Sequence, residues 1–197
     1  MKTFFNATIK SVILSSMLWA SALSASLVSA IFAFSCVAMA HEKTFPTKQL
    51  NALAPSDEHI TFRESALHPA SEALKDFEKK YELVFSKGEL SGGVFLGSKS
   101  DKKTSVVAVF LDGKTSKGET EFGASVSTQG KIVKVKLFSS PETSDATSEE
   151  FLKSLENKSA DELQEMKKTL AKDSSQYFVV TLSQKALGRV ASSFAKK

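Results

Sequence analysis

The chain has 197 residues, 42% hydrophobic and 24% charged, with nine Gly, four Pro and one Cys, which excludes collagen-like, coiled-coil and disulfide-scaffold architectures. Residues 1–40 carry only Lys2 and Lys10 and no acid, so residues 41–197 hold 24 basic against 22 acidic groups. A formal charge of +2 there gives no phosphate-tracking patch, and no nucleic-acid partner is predicted.

The N-terminus reads as an export signal. Lys2 and Lys10 flank a short basic region, Ser11 to Val37 is apolar or small, and Ala38-Met39-Ala40 supplies a small-x-small cleavage pattern before His41-Glu42-Lys43. Three fates are open: cleavage after Ala40, lipidation at Cys36, or retention of residues 11–37 as an inner-membrane anchor. The predicted location is periplasmic or otherwise exported. Cleavage removes Cys36, leaving a domain with no disulfide and no thiolate chemistry.

Residues 41–69 read as a loose leader broken by Pro46, Pro55 and Pro69, and residues 70–197 as the folded domain. Ala73, Leu74, Phe77 and Tyr81 fall at helical spacing after Ser71. Short strands are predicted at Tyr81–Phe85 and Gly93–Leu96, with a turn at Ser86-Lys87-Gly88. Ser105–Leu111 is β-branched and ends at Asp112-Gly113, a hairpin signal. Glu121–Ser127 turns through Gln129-Gly130 into Lys131–Phe138, with Ile132, Val133, Val135 and Leu137 inward and Lys134 and Lys136 outward. Helices follow at Ser148–Leu155, facing inward with Phe151, Leu152 and Leu155, and after Ser159, facing inward with Leu163, Met166 and Leu170. Tyr177–Leu182 reads as a last strand and Ser183–Phe194 as a C-terminal helix. The predicted fold class is α+β: one domain with a mostly antiparallel sheet of five or six strands and helices packed on it.

Residue chemistry alone nominates no catalytic site. His41, His59 and His68 lack metal-ligand spacing, so no metal is expected. The serines lack a nucleophile-elbow context. Glu149-Glu150 and Asp161-Glu162 lie at helix starts, where the dipole favours acids. The glycines at 88, 92, 93 and 97 do not form a phosphate loop.

One resemblance stands beside this reading. Gly130-Lys131-Ile132 with Val133 and Val135, then Glu142-Thr143, Phe151 and Asn157-Lys158-Ser159, followed by Phe178-Val179-Val180-Thr181 and Leu182-Ser183-Gln184-Lys185-Ala186-Leu187, resemble the FMN-binding domain family. That family includes the G subunit of the Rnf complex and the C subunit of the sodium-pumping NADH:quinone reductase. The likeness spans residues 81–192, with a degenerate flavinylation motif. Phe-Val-Val replaces the small residues before the acceptor Thr, and Ser175 stands where an Asp is read, so covalent attachment at Thr181 is not expected. The resemblance implies FMN as cofactor and electron transfer with exported or membrane redox proteins as partners. It implies Glu142 and Thr143 beside the isoalloxazine, Thr181 by the phosphate, and Ser183 opening a helix whose N–H groups face that phosphate. The alternative is a cofactor-free periplasmic binding or interaction module; neither reading makes the chain a stand-alone enzyme. Replacing Ala38 and Ala40 with Trp should block processing and leave full-length chain in the membrane fraction; full-length wild type already there would establish the anchor instead.

Overall fold

The computed structural model describes residues 47–56, 59–100, 103–142 and 144–195; the export segment and Thr143 lie outside the described residues. The elements run α1 (Thr47–Ala52), β1 (Thr61–Ser65), α2 (Ser71–Tyr81), α3 (Lys87–Ser91), β2 (Val94–Ser98), β3 (Thr104–Thr115), β4 (Gly118–Ser127) and β5 (Ile132–Ser139). They continue with α4 (Ser144–Thr147), α5 (Glu149–Ser154), α6 (Ala160–Lys168) and α7 (Ser175–Phe194). The strands form one antiparallel meander in the order β1-β2-β3-β4-β5, with helices packed on it. The α+β class follows.

The sheet is covered on both faces. Val107, Val109 and Leu111 of β3 join Phe122, Ala124, Val126, Ile132 and Val135 in the core beneath α7. On the other face Phe95, Ala108 and Phe110 lie under Leu50 and Leu53 at α1. Burial on both faces explains why Ser105–Leu111 reads as a continuous apolar run rather than an alternating one.

The described part of the 41–69 leader is therefore ordered. Leu53 is fully buried, its carbonyl accepts from Ser125 Oγ at 2.7 Å, and the Ala54 carbonyl accepts from Lys134 Nζ at 3.2 Å. β1 then pairs along β2. Segments this short carry too few apolar positions to display a period.

Four local expectations are corrected. Tyr81–Phe85 is not a strand: α2 ends at Tyr81, Glu82 takes φ 53°, and Leu83 N–H bonds the Glu78 carbonyl. Burial of Leu83 and Phe85, two residues apart, imitates strand alternation. Ser86-Lys87-Gly88 is a helix start, because Ser86 and Glu89 form a capping box on α3. Asp112-Gly113 is not the hairpin turn; β3 continues to Thr115, which pairs with Gly118. Gly113 is required instead by α7, since a Cβ there would stand 2.6 Å from the Phe178 ring. In β5, a register shift against Ser125/Val126 leaves Ile132 and Val135 buried but Val133 and Leu137 only partly so. Lys136 is exposed, whereas Lys134 is tied to Ala54.

The largest correction concerns Tyr177–Leu182, which is helix. Ser174 caps α7 by accepting from Tyr177 N–H at 3.1 Å, and the helix runs unbroken to Phe194. It packs against β3, β4, β5, α2, α4 and α6. A helix buried on most sides has no polar face, so its aromatic and β-branched start matches a strand as well as a helix. The α5 and α6 expectations hold: Phe151, Leu152, Leu155 and Leu163 are buried, with Ser148 and Ser159 as caps.

Truncation should separate these roles. Leu163→Ala should cost about 2–4 kcal/mol by lost burial and a cavity. Lys134→Ala should cost about 1 kcal/mol through its bond to Ala54, and Lys136→Ala less than about 0.5 kcal/mol. Chemical denaturation measures all three.

Candidate functional site

Three groups of polar side chains are held inside or beside the core, and α7 contributes to each. The first lies at its N-terminus. The β3–β4 hairpin places Thr115 and Lys117 beside the segment that leaves β5, and Glu142 there meets Ser175 in the first turn of α7. The Glu142 side chain is only 2% exposed. Its carboxylate accepts from Thr115 Oγ1 at 2.9 Å and pairs with Lys117 Nζ at 3.5 Å, while Lys117 Nζ also donates to Ser175 Oγ at 2.8 Å. Glu142 N–H bonds Ser140 Oγ, which is joined to Thr120 Oγ1. Burial raises the Glu142 carboxyl, but the Ser175 and Thr115 hydroxyls and the Lys117 charge outweigh it, so the group sits below its ordinary value.

Ser175 and Lys117 do not form a nucleophile and base. The ammonium is committed to a carboxylate, and the serine is buried and hydrogen-bonded to that same carboxylate. A working pair needs an amine able to take the hydroxyl proton and an oxygen open to substrate.

The second group lies toward the other end of α7. Arg189 is 1% exposed, and its guanidinium donates to the carbonyls of Glu89 at 2.7 Å, Phe110 and Leu90 at 3.2 Å, and Gly92. One turn earlier, Lys185 Nζ contacts Glu89 Oε1 at 2.7 Å in a nearly buried ion pair. The other Glu89 oxygen accepts from Ser86 N–H. Burial pushes the Arg189 guanidinium down to about 10, still well above neutral pH. The sequence signal for this group was the Ser86-x-x-Glu89 spacing together with a single Arg in the apolar run Leu187-Gly188-Arg189-Val190.

The third group contains the hydroxyls nominated through the flavin resemblance. Thr181 Oγ1 donates to the Tyr177 carbonyl at 2.8 Å, and the fully buried Ser183 Oγ donates to the Val179 carbonyl at 2.9 Å. Ser192 and Ser193 fold back onto Gly188 and Arg189 in the same way. The helix start expected at Ser183 is at Ser175, so the backbone N–H groups expected to face a phosphate belong to another turn. Glu142 meets Ser175, whereas Thr181 and Ser183 lie six and eight residues onward, about 9 and 12 Å along the axis. None of the oxygens of Glu142, Thr181 and Ser183 is a buried polar atom left without a partner. Thr143 lies outside the described residues.

Among the described residues no group of three or more His, Cys, Asp or Glu side chains is placed to hold a metal ion. No helix of those residues is long and apolar enough to cross a membrane. No protein-family model matches the chain, and no curated protein matches it.

The Glu142 cluster has a pH signature. Because the folded carboxyl sits below its unfolded value, its contribution is present above the unfolded value and is lost as pH falls through the folded one. Acid titration of stability should therefore show a shallower fall in Glu142→Gln than in wild type, with the two curves converging at low pH. Identical acid limbs would leave Glu142 without that role.

Proposed function

We propose that the chain is a cofactor-free, non-enzymatic binding or interaction module of an exported protein. The observation that carries this reading is where the interior polar groups are directed. Arg189 is bound to four backbone carbonyls, Glu89 to Lys185 and the Ser86 N–H, and Glu142 to a hairpin and a helix start. Thr181 and Ser183 are bound to their own helix. Arg189, Glu89 and Glu142 each hold separate parts of the chain together, while Thr181 and Ser183 spend their hydroxyls on their own helix.

Such a module presents a rigid outer surface to other exported proteins, its partners in this reading. The competing reading is the flavin-bearing electron-transfer domain that the resemblance implies, with redox proteins of the envelope as partners. It requires Thr181 to exchange its bond to Tyr177 for one to a phosphate or a phosphoester.

Colour and mass separate the two. Protein purified from the exported fraction, after coexpression with a flavin transferase, should show no flavin absorption and an intact mass equal to that of the unmodified processed chain. A yellow protein, or an added FMN mass that disappears in Thr181→Ala, would overturn the module reading in favour of the flavoprotein.

A further inference from the structure

The two outer edges of the sheet are unlike. At β5 the start of the strand is closed from outside: Ile132 N–H donates to the Lys158 carbonyl at 2.9 Å, and the Ile132 carbonyl accepts from Asn157 N–H at 2.7 Å. β1 is the other end of the strand order, and among the described residues no backbone hydrogen bond reaches its outer side. It pairs with β2 in unbroken register along its whole length, from Thr61 opposite Ser98 to Ser65 opposite Val94. β1 carries no proline and no bulge, two of the devices that keep an exposed edge from accepting another strand.

Two glycines keep the side chains of β1 off that edge. Phe62 stands opposite Gly97, where a Cβ would lie 2.8 Å from the Phe62 ring, and a Cβ on Gly93 would lie 3.2 Å from Glu64 Oε1. Phe62 and Glu64, on one face of the sheet, therefore lean inward across β2 rather than outward over the free backbone. On the other face Thr61 and Arg63 are exposed, and Arg63 has no ion pair or hydrogen bond among the described residues.

We propose that β1 accepts an extended peptide segment of an exported partner as a sixth strand of the sheet, with an acidic side chain of that segment beside Arg63. The outer N–H and C=O groups of β1 supply a ladder that any sequence can join, and the unmatched Arg63 charge supplies the preference for an acid. A second copy of the chain fits this edge poorly. A two-fold axis through Arg63 or Glu64 sets like charges directly opposite, and one through Phe62 sets Ile60 opposite Glu64. The inference rests on the module reading and adds to it the surface used and the kind of segment that surface takes.

The test is a titration of the isotope-labelled exported protein with the end-blocked peptide Thr-Val-Glu-Val-Thr, followed through backbone amide shifts. Saturating shifts centred on Thr61–Ser65 and β2 are expected. Arg63→Glu should weaken binding of that peptide several-fold, and Thr-Val-Lys-Val-Thr should bind Arg63→Glu several-fold more tightly than it binds wild type. No shift in β1 at millimolar peptide, or affinities unmoved by either charge change, would overturn the proposal. A dimer held through β1 in the absence of peptide would overturn it in favour of a second copy. None of these results touches the module reading, which falls if the same preparation is yellow or carries the added FMN mass.

Discussion

Arg189 reaches from α7 into a ring of backbone carbonyls contributed by Glu89, Leu90, Gly92 and Phe110. Three of those carbonyls belong to α3 and the residue after it, where a helix leaves acceptors unmatched. The fourth belongs to β3 at the centre of the sheet. One guanidinium therefore closes α3, orients the entry into β2 and fastens α7 to the sheet. A buried cation without a carboxylate of its own needs such partners; the four carbonyls meet its two terminal nitrogens, while Nε is buried without one. Lys185, four residues earlier and on the same side of α7, holds the Glu89 side chain while Arg189 holds its carbonyl.

The same helix is fixed at its start by different chemistry. There Glu142, Lys117 and Ser175 join the β3–β4 hairpin, the segment after β5 and the first turn of α7. Between the two anchors the contacts are mainly apolar, through Val179, Val180, Leu182, Ala186 and Leu187, with buried Gln184 donating to the Ala160 carbonyl and to Gln164 on α6. Ionic anchors at the ends set the position of the helix along the sheet, which apolar packing alone specifies less sharply. The hydroxyls between them are satisfied inside the helix, so they add no directional demand on the sheet.

In this arrangement Arg189, Glu89, Lys185 and Glu142 tie separate elements of the chain together.

Local sequence was sufficient wherever one short segment contained the whole physical cause. The Ser159-x-x-Glu162 cap, the Gly130 turn with φ 71°, the β-branched run of β3 and the inward faces of α5 and α6 are all of that kind. The α+β class follows from them. The resemblance drawn through Thr181 and Ser183 assumed a strand followed by a helix start, and that assumption fails because a helix buried by the sheet and three other helices loses the polar face that would reveal its period. The Glu142 cluster joins residues 25 to 58 apart in sequence, and Arg189 lies 97 to 100 residues from its carbonyls at α3 and the residue after it. No spacing rule spans such separations. Only the folding of the meander brings those backbone carbonyls, which every residue type carries alike, around a single side chain.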